Sequence, residues 1–189
     1  MQLGRLARFY EARGYYGTQV MYDLKVDHER SLLDVEITVG EGQPVIVSQV
    51  DVDRTGGPRF PDELPIKQGE IFAEESYAKA EQLLQEYYLK RGYAHVQTER
   101  KAEINLEQNQ VRVWYRVDPG PPTVFGETTI EGTRNVDPEL ISRELSYRPG
   151  EVFSSEKVAA SRQNARPLGA GSIPSRRTWI MILPRSACG

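Results

Sequence analysis

Asp51 and Asp53 are two carboxylates of this 189-residue sequence whose spacing could serve a chemical site. They lie two positions apart on a predicted strand, so both carboxylates point to one face, as a metal site or an acid–base pair requires. A solvated strand face produces the same pattern far more often, because carboxylates are mostly exposed. We therefore expect Asp51 and Asp53 to be ordinary surface residues.

The residue types that bind metals are too few and too dispersed to predict a site. The histidines are His28 and His95, and the single cysteine is Cys188, so the chain has no disulfide framework. His28 falls in a predicted turn and His95 on a predicted strand, and neither has a cysteine or a carboxylate cluster at ligand spacing. We expect both histidines at the surface, with no metal and no cofactor.

No motif in the sequence favours catalysis or nucleic-acid binding. The chain lacks a Gly-x-Ser-x-Gly turn, a phosphate loop and a dinucleotide fingerprint, so we predict that it is not an enzyme. Its formal net charge is −3 and its pI is about 5.6, whereas nucleic-acid-binding domains usually carry a basic face. No run approaches the roughly 20 apolar residues of a membrane span.

The longest predicted element is a helix that begins at about Glu74 and ends at Gly92. Acidic residues in its first turn and basic residues in its last turn complement the helix dipole. Gly92 supplies the left-handed residue that stops the helix, and a strand follows. Residues that recur at spacings of three and four form one broad apolar face, which must pack against something apolar. These residues are Tyr77, Ala80, Leu83, Leu84, Tyr87 and Tyr88.

The same helix ending occurs twice, so the chain is a repeat array. Arg-Gly-Tyr at residues 13–15 matches Arg-Gly-Tyr at 91–93, an offset of 78 residues. The offset holds without a gap further along, where Val39 corresponds to Val117. A Gly-Glu-x-Phe turn also recurs, but at an offset of 81, so the loop after the first strand differs in length by three residues between the two copies.

Alternating apolar residues predict the strands of the first two copies. In the first copy a helix over residues 3–13 precedes an antiparallel hairpin of strands at about 15–26 and 33–39. For the middle copy, the pattern predicts a first strand, a short helix, the long helix and two further strands. The short helix would begin at Pro61, and Pro65 should cut it short. The three strands cover about residues 45–52, 93–103 and 111–117.

The third copy begins with a strand at Thr123 and continues with two predicted helices. Asp137 offers an N-cap, followed by a proline and an acid, which is a strong helix start; that helix should run to about Ser146. Ser154 should cap the next helix, which carries Val158. The repeat pattern stops at about Asn164.

Two features suggest that this sequence is a fragment and that its C-terminal segment is non-native. Met1 lies a few residues before the first copy of the helix face, so we expect the chain to open inside a structural unit. Residues 165–189 contain four arginines and no Asp or Glu, unlike the preceding chain. We expect this segment to be a non-native tail.

The order strand, helix, helix, strand, strand resembles the POTRA domain of outer-membrane barrel assembly factors of the BamA and TamA kind, the surface antigen family. The order and repetition of its motifs across residues 3–164 carry the resemblance. They are the Val-x-Val and Thr-x-Ile strands ending near Gly56 and Gly132, the Gly-Glu-x-Phe turns at 69–72 and 150–153, Arg-Gly-Tyr at 13–15 and 91–93, and the Val-x-x-Gly-x-Pro exits at 39–44 and 117–122.

This resemblance implies an α+β fold of tandem β-α-α-β-β units, each a three-stranded mixed sheet backed by two helices. Residues 1–43 would be the C-terminal half of one unit, 44–121 a complete unit and 122–164 the N-terminal half of a third. The family also implies the periplasmic side of a Gram-negative outer membrane, with contact to the membrane only through a C-terminal barrel that this chain lacks.

The family's topology places the strand from Tyr93 to Glu103 at a sheet edge, where unpaired N–H and C=O groups could accept an extended client strand. The expected clients are unfolded outer-membrane protein segments or subunits of an assembly complex. The expected binding edge is His95, Val96, Gln97, Thr98, Glu99, Arg100 and Lys101. The helix beside it would border a groove through Tyr77, Leu84 and Tyr88.

Two alternatives stay open at this point. The units could serve mainly as a spacer that positions the barrel or reaches an inner-membrane partner. Trp114, out of phase with its buried neighbours Val113 and Tyr115, could be an exposed binding anchor or could cover a neighbouring unit. The tyrosines of the long helix are more typical of a core than of a recognition surface.

Overall fold

A computed structural model describes residues 3–60, 63–131 and 136–165 of the chain. We call residues 3–43, 44–121 and 122–165 the first, middle and third repeats. The helices are α1 Leu3–Glu11, α2 Glu74–Leu89, α3 Pro138–Arg143 and α4 Ser155–Ala165. The strands are β1 Gln19–Asp27, β2 Leu32–Gly40, β3 Ile46–Arg54, β4 Gln97–Asn105 and β5 Gln110–Asp118. The fold is thus α+β, as the sequence predicted.

The described residues form two compact units. The first holds those of Met1–Asp53, Pro61–Leu83 and Glu99–Arg116. The second holds those of Arg54–Phe60, Leu84–Thr98 and Val117–Gly189. Each unit therefore contains part of the middle repeat together with one flanking repeat.

The first repeat is α1 followed by an antiparallel hairpin. β1 and β2 pair from Gln19 opposite Gly40 to Asp27 opposite Leu32. The turn between them closes on Ser31, which has a φ of 54°. Asn109 lies 78 residues later, closes the turn of the β4–β5 hairpin and has a φ of 50°. The two turns therefore share a backbone conformation at the spacing that the sequence repeat predicted.

The middle repeat contains a three-stranded sheet in the order β3-β5-β4. Two backbone bonds show that β3 runs parallel to β5. Ile46 N donates to Asn109 O over 2.8 Å, and Thr55 N donates to Val117 O over 3.1 Å. Residue numbers therefore increase in the same direction along both strands. The short turn between β4 and β5 makes those two strands antiparallel. The sheet is therefore mixed.

The core of the middle repeat lies between one face of this sheet and one face of α2. Val111, Val113, Tyr115 and Val117 alternate along β5 and are at most 1% exposed. On α2 the buried residues are Ala80, Leu84 and Tyr88, spaced four apart as one helix face requires. The buried tyrosine hydroxyls keep hydrogen bonds to backbone carbonyls: Tyr115 donates to Tyr77 O over 3.0 Å and Tyr88 to Pro58 O over 2.7 Å.

The short first helix of the middle repeat is absent where the structure describes it. Glu63 and Leu64 are not helical, although Pro61 could have opened a helix. Pro65 explains this, because proline disfavours helical backbone at the residue before it and donates no hydrogen bond itself. Within the described ranges α2 is the only helix of this repeat, whereas the third repeat has two.

Both strands that follow Arg-Gly-Tyr begin four residues later than predicted, at Gln19 and Gln97 instead of Tyr15 and Tyr93. A second turn intervenes in each copy. Val96 N donates to Tyr93 O over 3.4 Å, and Thr18 Oγ1 donates to Tyr15 O over 2.8 Å. The predicted starts of these two strands were wrong, because apolar residues in the turn continue the sequence pattern of a strand.

The third repeat differs more from its prediction. Asp137 caps α3 by accepting a bond from Glu139 N over 2.9 Å, as expected, but the helix ends at Arg143 and not near Ser146. Residues 123–131 form no strand, and the β-bridge recorded for them among the described residues is an isolated one between Val124 and Val152. A strand needs a ladder partner, and within the described ranges no strand of a third hairpin lies beside this segment.

The third repeat nonetheless has its own apolar cluster of Phe125, Tyr147 and Phe153. The rings of Phe125 and Tyr147 are stacked 4.0 Å apart. Val158 lies on α4, as predicted, and packs against the cluster. The predicted non-native tail, residues 165–189, lies outside the described residues except for Ala165, which ends α4.

We predict that Gly92→Ala destabilises the protein by about 1–3 kcal/mol, the usual range for a strained backbone position. Gly92 has a φ of +99°, and an added Cβ would lie 2.8 Å from Val152 Cγ1. Gly56→Ala is the matched control, because nothing lies within 4 Å of its Cβ position. Urea denaturation of both variants measures the difference, and equal losses would contradict this account of Gly92.

Candidate peptide-binding edge

The strand order leaves β3 and β4 at the two edges of the middle sheet. The first half of β3 is covered on its outer side. Val47 N donates to Glu70 O over 2.9 Å and Gly69 N donates to Val47 O over 2.8 Å. Ile46 also forms a bridge with Ile71. The loop before α2 therefore occupies the outer backbone groups at this end of β3, where an added strand would need them.

The edge at β4 is the more open one. β5 is its only neighbouring strand in the part of the chain that the structure describes. Gln97, Glu99, Arg100 and Lys101 are exposed, and Thr98 is half-buried. A strand of this kind presents backbone N–H and C=O groups to solvent while its charged side chains oppose unlimited pairing between copies.

The side of β4 that faces α2 is built around Arg100. Its Nε lies 3.2 Å from Glu81 Oε2, and its guanidinium lies 4.9 Å from the centre of the Tyr77 ring. Tyr77 is half-buried, and burial is the main cause that raises the pKa of its hydroxyl. Tyr77 and Glu81 are four residues apart on α2, so one helix face positions both partners of Arg100.

The opposite side of β4 carries Lys101. Its Nζ lies 5.6 Å from the centre of the Trp114 ring and 2.6 Å from Glu103 Oε1. Trp114 is half-buried, so it is neither a fully exposed anchor nor a core residue. Exposed pairs of this kind stabilise a fold little, at about 0–1 kcal/mol each, so an approaching chain can displace them at small cost.

The structure brings together only part of the predicted site. Gln97 to Lys101 lie on β4 and Tyr77 lies beside it, as predicted. His95 and Val96 precede the strand in the second turn, and Val96 is buried.

Leu84 and Tyr88 cannot border a groove, because they are 0% and 1% exposed. The prediction was wrong at these two positions, because helical spacing identifies an apolar face but not which of its residues the sheet covers. Glu81 was missed; its position four residues after Tyr77 was the signal that could have found it.

A second repeated feature is the joint where one repeat ends and the next begins. Gly14 O accepts a bond from Val45 N over 2.8 Å, and Gly92 O accepts one from Thr123 N over 2.8 Å. Phe72 N then donates to Val45 O over 2.9 Å in the first joint. Each joint lies inside one compact unit and uses equivalent residues.

The equivalent bond in the second joint runs from Phe153 N to Thr123 O, over 3.0 Å. Both joints are reinforced by an arginine that caps the preceding helix. Arg13 lies over the Phe9 ring and Arg91 over the Tyr87 ring, with their guanidinium carbons 3.5 and 3.8 Å from the ring centres. The joints are thus built by the Arg-Gly-Tyr and Gly-Glu-x-Phe motifs.

The remaining candidate residues are half-buried or exposed. Asp51 accepts a bond from Gln49 Nε2 over 2.7 Å and Asp53 is exposed, so they behave as a strand surface. His28 and His95 are both exposed, as predicted. Among the described residues, no group of three or more His, Cys, Asp or Glu side chains could hold a metal ion. Within those same ranges, no helix has both the length and the apolar character needed to cross a bilayer.

Comparison with known proteins decides the family. The family model "Surface antigen variable number repeat", or POTRA, matches residues 58–120 and 123–169, which is more than half of the chain. The chain belongs to the POTRA family. The matched ranges include α2 and the β4–β5 hairpin, and they separate at the joint before Thr123.

Two curated relatives are described as outer-membrane protein assembly factors. One, from Treponema pallidum, is described as an outer membrane protein assembly factor and is 26% identical over 166 residues. The other is the outer membrane protein assembly factor BamA of Nitratidesulfovibrio vulgaris, 22% identical over 148 residues. The matches cover 82% and 74% of this chain but only 20% and 18% of the relatives. The chain thus spans about a fifth of their length.

A solved structure confirms the fold. The crystal structure of POTRA domains 3–5 of Haemophilus influenzae BamA matches with a TM-score of 0.60 and 16% identity, over 90% of this chain and 70% of that one. At this identity the likeness concerns the fold. It agrees with the mixed three-stranded sheet and the helices described above.

We predict that Leu84→Ala lowers the free energy of unfolding by about 2–5 kcal/mol, as expected for a fully buried leucine. Gln85→Ala, on the exposed side of the same helix, is the matched control and should change stability by less than about 0.5 kcal/mol. Thermal and urea unfolding measure both. If Leu84→Ala proved as mild as its control, Leu84 would be available for a groove after all.

Proposed function

We propose that this chain is a periplasmic binding segment of an outer-membrane protein assembly factor, and that β4 holds extended segments of barrel precursors or of partner subunits. The observation that carries the proposal is the contrast between the two edges of the middle sheet. β3 is covered along its first half by residues 69–71, whereas β4 has a strand neighbour on one side only among the residues that the structure describes. An extended segment would pair with β4 as an additional strand.

This mode of binding suits clients of many sequences. Main-chain hydrogen bonds would supply most of the affinity, and side chains only loose specificity. Arg100 lies on one side of β4 and forms an ion pair with Glu81, and Lys101 lies on the other side and forms one with Glu103. A client can replace either ion pair without leaving an unpaired charge buried. We expect dissociation constants between about 1 mM and 1 μM, or roughly 4–8 kcal/mol. No step of this function requires catalysis.

The repeated joint supports a second candidate function, that of a spacer. Both joints use the same backbone bond between a helix-ending glycine and the second residue of the next repeat, Val45 or Thr123. Such a device can set the path of the chain and position a membrane barrel or reach an inner-membrane partner. The two functions make different predictions for β4, because a spacer does not require an open edge.

Paired proline substitutions on β4 distinguish the two functions. N–H groups of successive strand residues point to opposite edges, so Glu99 and Lys101 share one edge and Thr98 and Arg100 the other. Proline at the pair that faces β5 removes ladder bonds and should destabilise the sheet. Proline at the outward pair should leave the fold intact and weaken client binding at least about tenfold, because it removes a donor and blocks strand addition.

Unfolding curves first identify which pair faces outward. Titration of the folded variants with a ten-residue peptide that alternates apolar and polar residues, like a barrel strand, then measures binding by NMR. Proline variants that stay folded and bind as tightly as the parent would exclude β4 and favour the spacer. Shifts that map to Asp51 and Asp53 would place binding on β3 instead.

A further inference from the structure

The side of the β4–β5 hairpin that faces α2 carries a single charged residue, Arg100. Alternate residues of a strand share a face, and the contacts of Arg100 with Glu81 and Tyr77 identify this side. On β5 it carries the buried residues Val111, Val113, Tyr115 and Val117. On β4 it carries Thr98, Arg100, Ala102 and Ile104. Arg100 and both of its partners belong to one compact unit of the chain.

The ion pair of Arg100 and Glu81 occupies positions that are apolar in the first repeat. At the offset of 78 residues, Arg100 corresponds to Tyr22 and Glu81 to Leu3. A partly exposed ion pair stabilises a fold little, and apolar residues of similar volume often serve as well or better in such a place. Stability alone therefore does not account for this ion pair.

The guanidinium of Arg100 is accessible to a chain that approaches β4. The Arg100 side chain is 37% exposed and that of Glu81 is 24% exposed, so an approaching chain meets the arginine first. Glu81 Oε2 lies 3.2 Å from Arg100 Nε. A guanidinium has several N–H donors in a fork, so one carboxylate beside Nε leaves donors for a second carboxylate.

Beyond Arg100 this side of β4 becomes apolar. Ala102 is half-buried and Ile104 is 37% exposed. A strand that pairs with β4 brings every second side chain to the α2 side. If one of these side chains lies beside Arg100, the next two on the same face lie beside Ala102 and Ile104. This side of β4 therefore favours one acidic residue with apolar residues at spacings of two and four.

We propose that Arg100 determines which clients β4 prefers. The preferred client is an extended segment that places Asp or Glu beside Arg100 and apolar residues beside Ala102 and Ile104. This inference rests on the proposed function, because it concerns segments that pair with β4 as an additional strand.

The same charge would fix the register of the client. A slip of one residue moves every side chain to the opposite face of the sheet. On that face Glu99 and Glu103 lie on either side of Lys101 and both are exposed, and Lys101 already pairs with Glu103. An acidic client residue would be repelled there, because like charges on neighbouring strands destabilise their pairing.

Three peptides that differ at one position test the inference. Each has about 11 residues, the length of a barrel strand, with apolar residues at alternate positions and neutral polar residues between them. The central residue of the apolar face is Glu, Gln or Lys. Since the pattern is symmetric about this residue, it reaches Arg100 in either chain direction.

NMR titration of the full chain measures the three affinities. The Glu peptide should bind about two- to fivefold tighter than the Gln peptide, and the Lys peptide should bind weaker than the Gln peptide by a similar factor, as expected for cross-strand charge pairs. In about 1 M NaCl the affinities should converge, because the screening length falls to about 3 Å.

Two charge swaps provide matched variants. Arg100→Glu combined with Glu81→Arg keeps the ion pair but reverses the charge that the client meets first, so the order of the three peptides should reverse. Lys101→Glu combined with Glu103→Lys makes the same exchange on the opposite side of β4 and should keep the parent's order. Unfolding curves check that both variants fold. If the first swap disturbs the fold, Arg100→Gln replaces it and should make the three affinities equal.

The outcomes separate this inference from the proposed function. Equal affinities in the parent, with shifts that map to β4, would overturn the role of Arg100 and leave β4 as the binding edge. An order that is the same in the parent and in the swap of Arg100 and Glu81 would do so too. Peptides that cause no shifts at β4 would overturn both the inference and the proposed function.

Discussion

The β4–β5 hairpin of the middle repeat buries one of its faces because β3 lies beside it and α2 lies over it. The inward residues of β5 and one face of α2 are almost completely buried, and the hydroxyls of Tyr88 and Tyr115 keep carbonyl partners. Burying four valine-sized or larger side chains contributes about 1.5–3 kcal/mol for each. The rest of the structure depends on this core.

The same packing explains why β4 lies at an edge of the sheet. With β3 beside β5, the hairpin partner β4 has a strand neighbour on one side only within the ranges that the structure describes. β3 lies at the other edge, but the joint with the preceding repeat and the loop at residues 69–72 occupy its beginning. Residues 69–71 thus cover the first half of one edge of the sheet. At the other edge, the charged side chains of β4 disfavour pairing between copies.

Much of this architecture was predictable from the sequence because its motifs have local causes. Repeated glycines mark positions with positive φ, as at Gly14 and Gly92, and the Asp137-Pro138 pair caps a helix through a single side chain. Other features depend on distant contacts. The delayed start of β4 follows from a turn that buries Val96, and residues 123–131 form no strand because strand pairing requires a partner. Helical spacing likewise could not tell that Leu84 and Tyr88 lie inside the core while Tyr77 borders β4.

Amide hydrogen exchange with and without an extended, barrel-like peptide tests the central claim, that β4 is the edge that accepts clients. A peptide strand added to β4 should slow exchange at alternate amides between Gln97 and Asn105, those that point away from β5, because these N–H groups acquire acceptors. Amides of β3 should keep their rates. Slower exchange confined to β3 or to α2, or unchanged rates under saturating peptide, would contradict the account.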